Sequence, residues 1–309
     1  MSSVTHVLLP IFGLILAGYV CRRTSRLGET AAAELNKFVV WLCLPALLFR
    51  VTATANWNEI WHPRFVAVCA LATLGVFVAT LAVRWRSPRH LVDASIDGLS
   101  AAYANTGYIG IPLCVLVLGN DGLVPALIAT LIVVCVLFAI AVICVEVGLQ
   151  AEKTLHHAVA KVLRALAKNP LVVAPIVGAA WAVTGWTLPQ PADKFLHLLG
   201  AATTPGALVS LGAFLAAKPA GRGEGAFTLS ALKLVVHPVL TWVLAFWVFN
   251  LPPLWANAAL LLAALPTGTG PYMLAEFYQR EASVVSGTIL YSTLGSLATL
   301  TACLYLIQQ

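Results

Sequence analysis

Nine residues, Asn105 to Leu113, read NTGYIGIPL and sit inside an apolar run otherwise long enough to cross a membrane as a helix. Gly107, Gly110 and Pro112 fall within six residues of one another. Proline lacks the N–H that continues a helix and clashes with the preceding turn, and glycine loses helix propensity relative to alanine. In hydrocarbon no water can pair with the freed backbone groups. A break here needs a reason.

The lipid setting follows from composition. The 309 residues are 60% hydrophobic and 10% charged, whereas soluble domains carry about 25% charged residues. The expectation is an all-α polytopic membrane protein with no separate soluble domain. A net charge of +6 could suggest nucleic acid, but the basic residues sit in short loops, where the positive-inside rule puts them. No nucleic-acid partner is expected. The seven cysteines show no CxxC pairing, so neither a disulfide framework nor a metal site is implied. Arg22, Arg23 and Arg26 follow the first apolar run, which reads as an uncleaved span rather than a signal peptide.

Apolar runs of about 20 residues predict ten transmembrane helices, over 4–21, 35–52, 64–83, 94–118, 122–148, 168–188, 193–217, 229–250, 254–279 and 283–306. Odd-numbered loops and their helix ends, Lys233 among them, then hold 15 of the 18 lysines and arginines. That split places both termini outside and the chain in the cytoplasmic membrane. The polar stretch at about 150–168 alternates Leu155, Val159, Val162 and Leu166 with Lys153, Lys161, Arg164 and Lys168. This pattern suits a basic interfacial helix on anionic lipid, with a solvated linker as the alternative. His156 and His157 lack further ligands at metal-binding spacing.

Ten spans divide into five and five, residues 1–150 and 151–309, and an odd number per half requires the second copy to be inverted. Pro10 and Gly18 match Pro170 and Gly178, Pro45 matches Pro205, and Gly110 matches Gly270, each pair 160 residues apart. Inverted repeats of this kind mark secondary transporters. The same offset carries NTGYIGIPL onto Leu265–Leu274, LPTGTGPYML. Both halves therefore break a helix at corresponding places, and unwound backbone at membrane depth belongs where it is buried or lines a cavity. Each break starts a new half-helix, near Pro112 and Pro271, whose free N–H groups and positive dipole end favour an anion. The candidate substrate-binding residues are Asn105, Thr106, Gly107, Tyr108, Gly110 and Pro112 in the first half, with Pro266, Thr267, Gly268, Thr269, Pro271 and Tyr272 in the second.

These segments also carry a resemblance. LPALLF (Leu44–Phe49), NTGYIGIPL, NPLVVAPIVG (Asn169–Gly178), PGALVSLGAFLA (Pro205–Ala216), LKLVVHP (Leu232–Pro238) and PTGTGPYMLAEFY (Pro266–Tyr278) are similar to the auxin efflux carrier family, which includes plant auxin carriers and bacterial organic-acid permeases. The resemblance spans essentially the whole chain. It implies a scaffold of spans one, two, six and seven, and a transport domain of spans three to five and eight to ten. Substrate would bind where the fourth and ninth spans cross, in an elevator-like cycle. Asn105 then matches the polar Asn before the first crossover, and Pro112 and Pro271 match the crossover prolines. The long central loop of the plant carriers is missing here, and His237 before Pro238 departs from their pattern.

Intramembrane ionisable residues are functional candidates by default. Asp97 and His237 are the candidates for coupling to H+ or Na+, with Glu276 close to the inner end of its span; a snorkelling or structural role for each stays open. No HExxH, GxSxG or paired intramembrane Asp is present, so no enzyme, catalytic residue or cofactor is expected. The expected function is secondary transport of small organic anions, carboxylates or auxin-like aromatic acids. A membrane sensor using the same fold is the alternative. Expected partners are the anion and membrane lipids, with homodimer formation left open.

Overall fold

A computed structural model describes residues 2–54, 62–86, 90–149, 164, 167–168, 170–217, 225–280 and 282–307. Most of the linker at 150–168 and the side chain of Glu276 lie outside that description. The described residues are nearly all helical and contain no strand; Ala104 and Thr267 form an isolated antiparallel bridge.

Helices are what these apolar runs must form, because a helix satisfies its own backbone in lipid. Among the described residues, six helical runs are long and apolar enough to cross a membrane: Ala31–Ala53, Pro63–Trp85, Thr106–Leu149, Gln190–Ala217, Ala226–Val248 and Ser283–Ile307. Two shorter apolar helices, Pro170–Val183 and Pro253–Ala263, accompany them. Many of these helices are apolar on all sides. In the third expected span, Ala72 and Val76 are buried while Leu71 and Val78 are exposed, the distribution of a helix with protein on one side and lipid on the other. Thr106–Leu149 has 44 residues, about 66 Å at 1.5 Å per residue, roughly twice a hydrocarbon core of about 30 Å. Gly119, at φ +70°, begins a 3₁₀ turn that folds the run back on itself, so that Ile111–Leu118 packs beside Leu123–Leu131.

Prolines shape the helices without ending them. Wide π-helical turns at Val39–Cys43, Thr106–Gly110 and Leu232–Val236 each finish two residues before a proline: Pro45, Pro112 and Pro238. The wider turn makes room for the ring and leaves its missing N–H unmissed.

Small residues set the closest packing. A Cβ on Gly18 would lie 2.1 Å from the Val209 carbonyl oxygen, and one on Gly178 would lie 2.5 Å from that of Phe49. Residues 18 and 178, and likewise 49 and 209, stand 160 apart, the offset seen in the sequence. Without van der Waals space for a side chain at either crossing, only glycine lets these backbones meet. Ser2–Arg23 thus packs on Thr203–Ala217, and Pro170–Val183 on Leu44–Ala53.

Candidate functional site

Both halves break, and the breaks touch, but the first lies upstream of its expected place. Gly107, Gly110 and Pro112 are helical, and the half-helix starts at Thr106 instead of near Pro112, because a wide π turn makes room for the proline ring. The helix Leu91–Ala102 ends in extended backbone at Tyr103, φ −77° and ψ 91°, and helical geometry resumes in the π turn at Thr106. The helix Pro253–Ala263 ends at Ala264, and the chain turns helical again at Gly270. Between these ends the segments pair as a short antiparallel ribbon: the Asn105 N–H donates to the Pro266 carbonyl at 2.9 Å, and the Gly268 N–H to the Tyr103 carbonyl at 3.0 Å. Side chains satisfy further freed groups. The Thr267 hydroxyl donates to the Ser100 carbonyl at 2.9 Å, and the Thr267 N–H to the Ser292 hydroxyl at 3.0 Å. Thr299 donates to the Ala264 carbonyl at 3.2 Å, and Lys233 Nζ to the Ala263 carbonyl at 2.6 Å.

Beside this crossing lies a cavity of about 220 Å³. Asn105, Thr106, Gly107, Tyr108, Thr269 and Gly270 line it together with apolar walls such as Leu44, Val134 and Phe138. Asn105 is buried, and its side-chain Nδ2 has no hydrogen-bond partner. An unpaired buried amide is unfavourable by about 1–3 kcal/mol, so such a group is a candidate for a ligand. The first four N–H groups of a helix have no intrahelical acceptor, and the first turns that begin at Thr106 and Gly270 border the same cavity. The arrangement offers an amide donor and two positive helix ends within mostly apolar walls, the chemistry of an anion site.

The remaining sequence candidates have other surroundings. Gly110 packs against Leu262 and Leu265, where a Cβ would come within 2.8 Å of Leu265 Cδ1. Thr267 is held by the two bonds just described, and Gly268 and Pro266 belong to the ribbon. Pro112 is buried in the first turn of Ile111–Leu118, and Pro271 opens the second half-helix. Tyr272 packs edge-on against Phe214, ring centroids 4.9 Å apart, and lines a neighbouring cavity of about 320 Å³. Tyr108, Thr269 and Met273 stand between the two cavities, and the Tyr108 hydroxyl donates to Asn36 Oδ1.

His237 lies on the far side of the crossing. It lines a space of about 20 Å³ with Ala104, Thr106 and Ala263, its Nε2 stands 3.4 Å from the Thr73 hydroxyl, and its Nδ1 is buried without a partner. Asp97 lines none of these cavities and meets Arg84 Nε at 3.3 Å. In the loop before Ser283–Ile307, Arg280 donates to both Asp93 carboxylate oxygens at 2.8 and 2.5 Å. Those bonds hold the guanidinium above its ordinary pKa.

Sequence reasoning missed Tyr103 and Lys233. Tyr103 lines the large cavity, and its ring fills the space in front of Gly268 and Gly270. Lys233, placed by the sequence reading with the loop-facing basic residues, is fully buried. Its position just inside a span was the one available signal.

A family profile described as "Membrane transport protein" matches residues 3–304. The chain belongs to that family. It is 32% identical over 312 residues to the "Putative malonate transporter" of Rhizobium meliloti (strain 1021), covering 100% of this chain and 97% of that protein. An "Uncharacterized transporter" of Methanothermobacter thermautotrophicus is 26% identical over 304 residues, 96% of either chain. "Auxin efflux carrier component 8" of Arabidopsis thaliana is 32% identical over 154 residues, 48% of this chain and 42% of the plant protein. The resemblance drawn from the crossover motifs therefore holds across the chain. This is a multi-pass membrane transporter, and its relatives are transporters rather than enzymes.

Proposed function

We propose that the chain is a secondary transporter of small organic anions, with the carboxylate held in the cavity beside the crossing. The observation that carries this is the unpartnered, buried amide of Asn105 at the meeting point of two broken helices. A carboxylate oxygen would accept from that amide and from first-turn N–H groups of the half-helices. The apolar walls would take the carbon skeleton. The full-length relative named for malonate supports a small carboxylate as the cargo.

In this reading the chain has ten spans in two inverted halves, and both termini lie outside the cytoplasmic membrane. The 160-residue offset supports it, since it relates both the two breaks and the paired glycine contacts of Gly18 with Val209 and Gly178 with Phe49. Those contacts join the four helices of the scaffold, past which the transport domain would slide as an elevator. Coupling to a proton would involve His237, which borders the crossing, in preference to Asp97, which Arg84 already holds.

The test is uptake of labelled malonate and of a panel of monocarboxylates into proteoliposomes, with and without imposed pH and sodium gradients. Saturable uptake in the wild type, lost in Asn105→Ala, is the expected result. Equal uptake by both proteins would remove the crossing from the transport path.

A further inference from the structure

Lys233 is fully buried, and its ammonium donates to the carbonyl of Ala263, the last residue of the Pro253–Ala263 helix, at 2.6 Å. Among the described residues no carboxylate pairs with it. Burying an ammonium without a counter-ion is strongly unfavourable, and negative potential from its surroundings offsets part of that cost. A helix that stops in mid-membrane supplies such potential, because its last carbonyls carry a partial negative charge at the dipole's C-terminal end. Broken helices in transporters commonly present such carbonyls to a coupling cation. Here Lys233 fills that role, and the Thr299 hydroxyl takes the next carbonyl, Ala264.

We propose that Lys233 is a resident cation of the second break, a positioning residue that holds the end of the Pro253–Ala263 helix so that no metal cation is needed there. This rests on the reading of the crossing as the transport site, and it deepens that reading: sodium would not drive the cycle.

The experiment has two arms. Purified wild type, Lys233→Met and Lys233→Gln are melted in detergent, without substrate, in choline, sodium or lithium chloride at about 0.15 M. The same three proteins are tested for malonate uptake in choline and in sodium. The wild type should melt at one temperature in all three salts and transport equally in choline and sodium. Both variants should melt lower, Gln no better than Met because it returns a donor without the charge, and uptake should fall about tenfold or more. A wild-type melting point raised by more than about 2 °C in sodium, or sodium-dependent wild-type uptake, would overturn the proposal. So would Lys233→Gln matching the wild type, or Lys233→Met being as stable as it. If neither variant survives extraction, the wild-type salt comparison decides alone. If the wild type carries no malonate, the transport reading fails on that arm while the melting arm still judges Lys233.

Discussion

The two breaks are built from similar residues and finished differently. The first unwinds only Tyr103 to Asn105, and the second unwinds residues 264 to 269. At the second, side chains close the exposed backbone: Lys233 takes Ala263, Thr299 takes Ala264, and Ser292 takes the Thr267 N–H. The first break has Thr267 reaching across to Ser100, yet leaves the Asn105 amide buried and unpaired. The second break is thus locked by its neighbours, while the first leaves one polar group unpaired on a residue that lines the cavity. In the proposed reading, the second opening is the fixed side and the first is the binding side.

The largest effect expected from this division is at Asn105. If the amide is reserved for ligand, Asn105→Ala should lower malonate uptake by about 100-fold, since a buried hydrogen bond to a charged group is worth about 1.5–3 kcal/mol. Its melting temperature should stay level or rise, because the substitution removes an unsatisfied donor. A variant that both melts lower and transports less would mean that the amide is structural, and the contrast with the second break would collapse.

Glycines at the two breaks should separate next. A Cβ on Gly270 would come within 2.5 Å of the Tyr103 ring, whereas one on Gly107 meets nothing closer than Leu44 at 3.9 Å. Gly270→Ala should destabilise by about 1–3 kcal/mol through overpacking, read as a lower melting temperature. Gly107→Ala should leave that temperature unchanged and weaken only apparent substrate affinity, since its methyl enters the cavity. Thr267→Val probes the lock itself. It strips the donor from the buried Ser100 carbonyl, and a loss of about 1–3 kcal/mol follows. Comparable damage from Thr106→Val would show the first break to be locked as well.

Glycine and proline are costly inside a membrane helix, so NTGYIGIPL and LPTGTGPYML pointed to the right neighbourhoods; the first break nevertheless falls at 103–105, ahead of its glycines and proline, which a π turn keeps helical. The glycine contacts were half-readable: the 160-residue offset marked Gly18 and Gly178, but their partners Val209 and Phe49 are backbone surfaces that no residue type betrays. Lys233 was misread for a similar reason. Its partner is the carbonyl of Ala263, an acceptor that becomes free only because the chain breaks there, thirty residues further on. Tyr103 escaped notice because its ring direction is set by the extended backbone after Ala102, and an aromatic in an apolar run usually signals ordinary packing. Residue type located the neighbourhoods in which the helices stop; only the three-dimensional fold shows which group answers each freed carbonyl.

The smallest effect carries information about motion. Tyr108 lies in the turn after the first break, and its hydroxyl donates to Asn36 on the Ala31–Phe38 helix, across the wall between the two cavities. In the elevator reading these residues belong to opposite domains, so the bond must open in each cycle. Tyr108→Phe should lower stability by about 1 kcal/mol, a shift of roughly 2–4 °C. If opening this contact limits turnover, the same variant should transport up to about fivefold faster, because the lost bond no longer has to be broken. If the two residues instead travel together, turnover should stay level or fall with the melting temperature. The sign of the rate change therefore tells whether the boundary between moving and fixed parts runs between Tyr108 and Asn36.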